Sequence, residues 1–223
     1  MAEPYIITET RKAYPYNPDI IEFAKDAGIR YALRQDRKLE VLAREEGAKW
    51  VIVWEPDGPV VYRDGSEFFY HPNMGKFRLA ELRKGRPDLM IRATGLESGS
   101  SFLDCTLGLG ADALVAAYAA GPSGYIVGVE SSQLIAAIVK WGIKKYKKGP
   151  VWLKEAMDRI NIVCDDHLSF LSSQEDHSFD IVYFDPMFRI PVYSSRPISP
   201  MRNLANANAL SIEAIKEACR VAR

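Results

Sequence analysis

A carboxylate and two glycines directly follow an apolar run in the middle of the chain. This segment, DCTLGLG, contains Asp104, Thr106, Gly108 and Gly110, and a stretch of small residues begins at Ala111. Glycines at a turn between a strand and a helix let the backbone approach a ligand and expose N–H groups of the helix N-terminus. Alone, the segment predicts either a ligand-binding turn or a tight turn that only packs the helix on the strand.

Acidic residues follow the next two apolar runs. Glu130 ends YIVGVE, 20 residues after Gly110, and Asp165 and Asp166 follow INIVC. A carboxylate at the position of Glu130 could accept hydrogen bonds from both hydroxyls of a ribose, a spacing that suits any adenosine-containing cofactor, nicotinamide dinucleotides included. Asp165 or Asp166 could bind the exocyclic amine of adenine, or could simply cap the helix that follows.

A fourth apolar run ends in an Asp-Pro pair and an aromatic residue. In FDIVYFDPMF, the residues after the run are Asp185, Pro186, Met187 and Phe188. A rigid Asp-Pro turn can accept hydrogen bonds from a planar amino group while Phe188 stacks on the ring that carries it. A dehydrogenase does not need this arrangement, so the segment favours a nucleobase amine as the group bound there. A turn whose Phe188 packs in the core is the structural alternative.

The four apolar runs predict a parallel sheet that brings these residues to one edge. The runs lack polar alternation and are each followed by a helix-like segment, which is typical of strands buried on both faces; they span residues 101–107, 125–130, 160–166 and 179–185. Ligands of such sheets bind at the carboxyl ends of the strands. Right-handed crossovers predict the strand at 101–106 in the centre, with 125–130 and 179–185 on either side.

The first part of the chain has a different pattern. Residues 18–28 and 38–47 predict helices, and residues 50–55 and 60–70 predict strands around a PDG turn. We therefore predict a small α/β domain at 1–70, a connecting basic segment at 71–100 and the parallel-sheet domain at 101–223. The basic segment is either a solvated linker helix or a surface that faces substrate or nucleic acid.

Composition excludes several classes of protein. The 223 residues are 48 % apolar and 26 % charged, as in ordinary globular proteins, and 29 basic residues balance 29 acidic ones. A nucleic-acid partner would therefore need a local basic patch. No apolar run approaches the roughly 18 residues of a membrane span, and no secretory signal is present, which predicts a cytoplasmic protein without a membrane partner. The three cysteines show no CxxC pairing, so we predict buried free thiols and no metal site.

Together these segments resemble class I S-adenosylmethionine-dependent methyltransferases, and DPMF is similar to the (Asp/Asn)-Pro-Pro-(Tyr/Phe) motif of amino-methylating enzymes. DCTLGLGADALVAA, GVESS and YFDPMF resemble the RsmJ family, which methylates the guanine N2 amine of 16S ribosomal RNA, and resemble the YpiP-like relatives of Gram-positive bacteria still more. The resemblance implies an α/β fold with a Rossmann-like class I methyltransferase sheet, preceded by a small N-terminal α/β domain.

The resemblance also implies roles for individual residues. S-adenosylmethionine would be the cofactor and ribosomal RNA the partner. The implied cofactor-binding residues are Asp104, Thr106, Gly108, Gly110, Ala111, Asp112, Glu130, Ser131, Asp165, Asp166 and Asp185. The implied catalytic residues are Asp185, Pro186 and Phe188, which would orient the target amine and stack on its base.

Two residues depart from the pattern of the resembling family. Thr106 stands where most class I methyltransferases have the first glycine of their motif, which predicts a differently shaped turn around the methionine end of the cofactor. Met187 replaces the second proline of the commoner tetrad. Guanine N2, adenine N6 and another amine therefore all remain open as the target.

Basic residues that could hold RNA phosphates fall in two groups. Lys140, Lys144, Lys145, Lys147 and Lys148 are predicted on one helix, where a solvated face is the favoured interpretation. Arg189, Arg196 and Arg202 lie in a segment of about twenty residues with four prolines, long for a compact domain, which we interpret as a substrate lid.

Two other functions fit part of the sequence. GLGADA and Glu130 would also suit a nicotinamide-dependent oxidoreductase, and a non-catalytic RNA-binding assembly factor could keep the same fold. The chain ends at Arg223 within a predicted helix, so we expect that further strands follow this residue in the resembling family. The sequence leaves the oligomeric state undetermined.

Overall fold

The computed structural model of the chain describes residues 5–11, 17–63, 66–186 and 210–223. These residues form two compact units, each with its own sheet. In chain order the elements are β1 (Tyr5–Glu9), α1 (Pro18–Ala27), β2 (Arg30–Tyr31), α2 (Leu39–Glu45), β3 (Trp50–Glu55), β4 (Gly58–Arg63), β5 (Ser66–Phe69), α3 (Asn73–Arg83), α4 (Leu89–Thr94), β6 (Ser101–Asp104), α5 (Ala111–Ala120), β7 (Tyr125–Glu130), α6 (Gln133–Lys145), α7 (Val151–Asp158), β8 (Ile160–Cys164), α8 (His167–Ser172), β9 (Ile181–Tyr183) and α9 (Ile212–Val221).

The first unit is built on a five-stranded mixed sheet. Its strand order is β2-β1-β3-β4-β5, in which β1 is parallel to both β2 and β3 and the remaining pairs are antiparallel. Local sequence explains α1 well: Asn17 caps the helix by accepting a hydrogen bond from the Asp19 N–H at 3.0 Å, and Gly28 ends it with φ of 63°. The predicted helix at 18–28 is confirmed.

Helix α6 belongs to this first unit although it follows β7 in the chain. Trp141 is buried, and its indole N–H donates to the Asp26 carboxylate on α1 at 2.7 Å. Gly142 lies so close to Tyr70 that a Cβ at this position would overlap the tyrosine side chain. The helix is therefore a packing element of the first unit.

The lysines of α6 pair with acids of α1, which corrects the prediction of a solvated face. Lys140 pairs with Asp26 at 3.0 Å, Lys145 pairs with Asp19, and Lys144 lies 3.8 Å from the Glu22 carboxylate. The helix ends at Lys145, so Lys147 and Lys148 follow it and do not lie on it. Charge pairing with α1 gives these three lysines a structural partner that the sequence pattern did not reveal.

The second unit is built on a four-stranded parallel sheet in the order β8-β7-β6-β9. The strand that begins at Ser101 is central, and β7 and β9 flank it, as predicted. Leu103 is paired with Val127 on one side and with Val182 on the other. Its core includes Leu103, Val127, Val129, Leu171 and Val221.

Residues 71–100 contribute two helices to the second unit. Leu79 on α3 is fully buried, and a Cβ added to Gly75 would lie 2.9 Å from the Leu114 side chain of α5. Helix α3 is thus packed against α5 and is not a solvated linker. The division of the chain into domains at 1–70, 71–100 and 101–223 stays a prediction.

Three further expectations concern single residue types. Cys105 is buried, but Cys164 and Cys219 are exposed, so the prediction of three buried thiols is wrong for two of them. Among the described residues, no group of three His, Cys, Asp or Glu side chains gathers as a metal site requires. None of the helices in the described ranges is long and apolar enough to cross a bilayer.

Candidate functional site

The carboxyl ends of three neighbouring strands bring the predicted site residues together. Asp104 ends β6, Glu130 ends β7, and Asp185 follows β9 by two residues. The turn after β6 is tied to both neighbours, because the Cys105 N–H donates to Tyr183 at 2.9 Å and the Leu107 N–H donates to Val129 at 3.0 Å. The three acidic residues therefore lie along one edge of the sheet.

The glycine turn requires the residues that the sequence provides. Gly108 and Gly110 have φ of 51° and 72°, in the left-handed region that other residues rarely adopt. Gly128 on β7 lets the turn approach the strand, since a Cβ there would overlap the Leu107 side chain. Gly110 precedes α5 and has no side chain to cap the helix, so no capping side chain occupies the first turn of α5.

Asp104 is almost completely buried, with 2 % of its surface exposed. Its Oδ1 accepts hydrogen bonds from the Thr106 N–H at 3.0 Å and from the Thr106 hydroxyl at 3.4 Å. Burial is the largest influence and raises the pKa of Asp104 to about 7; the charges of Asp112 and Asp185 add to this rise, whereas the Thr106 hydrogen bonds oppose it. The carboxyl group is therefore held near its point of ionisation at neutral pH.

This raised pKa predicts a pH-dependent effect of Asp104→Asn on stability. Between the unfolded pKa near 4 and the folded pKa of about 7, the folded protein holds a proton that the unfolded chain releases, so Asp104 destabilises the fold as pH rises. We expect the free energy of unfolding of Asp104→Asn, relative to the natural protein, to rise by on the order of 1–3 kcal/mol from pH 5 to pH 8. Urea unfolding at both pH values measures it, and a difference independent of pH would contradict it.

Glu130 links the glycine turn to the segment after β7. It is 7 % exposed, and its two oxygens accept hydrogen bonds from the Gly108 N–H at 3.2 Å and the Ser132 N–H at 2.8 Å. Burial raises the pKa of this carboxyl, against the effect of the backbone hydrogen bonds, including one from Ser131. A carboxylate has about four acceptor positions, so Glu130 keeps capacity for two further donors.

Asp185 is attached to the same turn through a hydroxyl group. Its backbone N–H donates to the Thr106 hydroxyl at 2.7 Å, and that hydroxyl points its own proton toward Asp104. Partial burial, followed by the charge of Asp112, raises the pKa of the Asp185 carboxyl, while Arg78 opposes the rise. Thr106, which departs from the commoner glycine, is thus the residue that joins the ends of β6 and β9.

Part of the predicted site lies outside the described residues. This holds for Met187 and Phe188 of the DPMF tetrad, for Arg189, Arg196 and Arg202, and for the predicted lid. Pro186 is described and is exposed to solvent beside Asp185.

Asp165 and Asp166 are engaged at the start of α8. Asp166 caps the helix, with Oδ1 accepting hydrogen bonds from the Leu168 N–H at 2.9 Å and the Ser169 N–H at 3.4 Å. Asp165 accepts from the Asp166 N–H at 2.8 Å, and its own N–H donates to the Glu130 carbonyl at 3.2 Å. The capping alternative is therefore realised by Asp166, and Asp165 lies next to the end of β7.

The first turn of α5 contains Ala111 and Asp112, and Asp112 forms an ion pair that the sequence did not predict. Its partner is Arg78 on α3, which also binds Asp88 at 2.8 and 2.9 Å. Arg78 was one of several basic residues in the 71–100 segment, and nothing in its spacing distinguished it from the others.

The sequence matches an established family. The profile of the family described as “Putative SAM-dependent methyltransferase” matches residues 69–206. The “Uncharacterized protein YpiP” of Bacillus subtilis is 37 % identical over 202 residues, which cover 91 % of this chain and 79 % of YpiP.

Two further relatives are named as ribosomal RNA small subunit methyltransferase J. The one from Buchnera aphidicola is 29 % identical over 63 % of this chain and 57 % of its own length. The one from Coxiella burnetii is 33 % identical over 54 % of this chain and 45 % of its own length. The matched region thus spans about half the length of these two relatives.

A solved structure has the same fold. The crystal structure of a SAM-dependent methyltransferase from Neisseria gonorrhoeae superimposes with a TM-score of 0.64 at 16 % identity, covering 98 % of this chain and 81 % of that one. The predicted α/β fold of the Rossmann-like class is confirmed.

Proposed function

The chain belongs to the SAM-dependent methyltransferase family, and from this premise we propose that it transfers a methyl group from S-adenosylmethionine to an exocyclic amine of a nucleobase, with guanine N2 of ribosomal RNA as the specific target. The observation that carries the proposal is the position of Asp185-Pro186. Thr106 ties this pair to the same turn that Glu130 organises, so an amine at Asp185 would lie beside a cofactor at the glycine turn.

The described residues fit S-adenosylmethionine. Glu130 keeps two acceptor positions after its bonds to Gly108 and Ser132, enough for the two hydroxyls of a ribose. The glycine turn leaves backbone space and the uncapped start of α5 beside it. When bound there, S-adenosylmethionine supplies a methyl group already activated by its sulfonium, so the work left to the protein is mainly alignment.

Asp185 and Pro186 would provide that alignment. A carboxylate and a backbone carbonyl both accept hydrogen bonds, so together they can hold the two protons of a planar amine and direct its lone pair to the methyl group. The Asp185 backbone is anchored by Thr106 independently of its side chain. The carboxylate can therefore bind the substrate while the backbone keeps its place.

RNA as the substrate class rests on the names of the methyltransferase J relatives. A base inside a duplex cannot reach such a site, so the target would be single-stranded or flipped, with Phe188 replacing the lost stacking. Arg189, Arg196 and Arg202 are the better candidates for phosphate contacts, since three lysines of α6 are paired with α1. A ribosomal RNA substrate would place the activity in the cytoplasm.

Isothermal titration with S-adenosylmethionine, S-adenosylhomocysteine and NADH tests the cofactor. We expect the two adenosyl sulfur compounds to bind and NADH not to bind. Binding of NADH alone would favour the nicotinamide-dependent oxidoreductase, and binding of none of the three would favour the non-catalytic RNA-binding factor.

Transfer of tritiated methyl groups tests the substrate. Small ribosomal subunits isolated from cells that lack the enzyme should take up label in their RNA, and nuclease digestion should locate it on guanine N2. Label on adenine N6 would correct the target atom, and label in protein would refute the nucleobase proposal.

A further inference from the structure

Arg78 binds carboxylates from two other segments of the second unit. Its Nε and Nη2 donate to the two oxygens of Asp88 at 2.8 and 2.9 Å, a bidentate pair, and its Nη1 donates to Asp112. The Arg78 side chain is only 23 % exposed and Asp88 only 8 %. Because bidentate and partly buried pairs are stronger and less screened than ordinary surface pairs, this contact can fix geometry.

The helices that carry these residues are held in close contact. Gly75 lies one turn before Arg78 on α3, and a Cβ there would be 3.2 Å from the Ala111 carbonyl and 2.9 Å from Leu114. Asp88 caps α4, accepting a hydrogen bond from the Met90 N–H at 3.0 Å. Arg78 is therefore attached to a capped helix on one side and to the first turn of α5 on the other.

Several acidic groups face one another at this end of the sheet. Asp104 ends β6, Asp112 lies on α5, and Asp185 follows β9. Burial and the charges of all three carboxylates raise the pKa of Tyr183 on β9 to about 12. The positive charge of Arg78 opposes these carboxylates, since it lowers the pKa of Asp185 where Asp112 raises it.

We propose that Arg78 is a positioning residue of the methyl-transfer site, which holds the first turn of α5 through Asp112 and offsets the carboxylates that surround Asp185. The inference rests on the proposed function, because it requires that the turn binds S-adenosylmethionine. Arg78 itself contacts no reacting atom in this account. It acts through Asp112 and through the charge of the Asp185 carboxylate.

The test compares Arg78→Met and Arg78→Lys with Arg92→Met, a matched control at an exposed arginine of α4. At pH 7 we expect Arg78→Met to bind S-adenosylmethionine roughly tenfold more weakly than the control, as for loss of a charge-assisted contact. Arg78→Lys should bind with intermediate affinity, because a lysine cannot form the bidentate pair. Isothermal titration measures all three affinities.

A second measurement separates positioning from general support of the fold. Carbon-13 NMR titration of the aspartate carboxyl groups in the ligand-free variants should show a raised pKa for Asp185 in Arg78→Met and a value near the natural one in Arg78→Lys, since lysine keeps the charge. A merely structural role would leave the Asp185 titration unchanged in both variants, which would overturn the proposal.

If Arg78→Met does not fold, Asp88→Asn provides the test. Asparagine caps a helix as well as aspartate does, so this change removes the ion pair and keeps the cap. We expect about threefold weaker binding of S-adenosylmethionine from the loosened guanidinium, and unchanged affinity would overturn the inference. If the natural protein binds S-adenosylmethionine but Arg78→Met matches the control, only this inference fails. If the natural protein does not bind S-adenosylmethionine, the proposed function fails with it.

Discussion

Glu130→Ala weakens the binding of S-adenosylmethionine by roughly ten- to hundredfold, the loss expected when paired hydrogen bonds to a charged acceptor are removed. The carboxylate already accepts the Gly108 and Ser132 N–H groups, and its remaining acceptor positions would bind the ribose hydroxyls. Alanine removes the ribose contacts and also releases the glycine turn. Isothermal titration with S-adenosylmethionine measures the change.

Two further variants make this result specific. Glu130→Gln keeps the size of the side chain but places an amide donor against one backbone N–H, so we expect an intermediate affinity. Glu97→Ala removes an exposed glutamate of the same unit and should bind like the natural protein. An affinity of Glu130→Ala equal to that of Glu97→Ala would remove the cofactor assignment.

The effect of Glu130→Ala on stability should be small. Two backbone donors lose their acceptor, which destabilises the fold, but a buried charge with a raised pKa is also removed, which stabilises it. We expect a net change on the order of 1 kcal/mol in the free energy of unfolding, because these two contributions have opposite signs. Urea unfolding distinguishes this outcome from a loss of binding caused by unfolding.

The parallel sheet could be predicted because strands buried on both faces carry an unbroken apolar pattern. The predicted strands at 101–107 and 179–185 nevertheless extend beyond β6 and β9 at their carboxyl ends. In both places the pairing stops where the site residues begin, since the Asp104 carboxylate and the Asp185 N–H bind Thr106 and the backbone turns away. The pattern therefore indicates the strand, and the turn chemistry decides its end.

The first strand of the chain was not predicted, and the reason lies in its polar residues. β1 includes Thr8 and Glu9, both of which are buried. Glu9 accepts hydrogen bonds from the Tyr31 hydroxyl at 2.7 Å and the Arg34 N–H at 2.8 Å, partners more than 20 residues away in sequence. A local pattern cannot reveal such long-range satisfaction of a buried acid.

Partners in space also decided the points that the sequence left open at the site. Asp166 could have been a ligand or a cap, and only the geometry of the Leu168 and Ser169 N–H groups shows that it is a cap. Helix α6 is amphipathic, yet its sequence does not reveal that Trp141 and its lysines pair with α1. The predicted roles of the remaining site residues stay predictions.

The largest effect should come from Asp185→Ala, which we expect to lower the rate of methyl transfer to RNA at least about a hundredfold while largely sparing the affinity for S-adenosylmethionine. The proposed partner of this carboxylate is the target amine, and a misaligned amine can cost about this factor. The side chain is exposed, and the backbone bond to Thr106 does not need it, so the variant should fold. Tritiated methyl transfer to isolated small ribosomal subunits measures the rate.

The shape and charge of the Asp185 side chain can be separated by a second substitution. Asp185→Asn keeps one acceptor oxygen and should retain part of the activity, whereas Asp158→Ala, which removes an exposed carboxylate on α7, should be fully active. Because burial and the charge of Asp112 raise the pKa of Asp185, the natural enzyme should lose activity as pH falls through a value above the usual range of an aspartate, as the accepting carboxylate becomes protonated. Asparagine does not titrate, so the residual activity of Asp185→Asn should lack this loss. Equal rates for the natural protein and Asp185→Ala would overturn the mechanism, because no other described acceptor replaces the carboxylate at the end of β9.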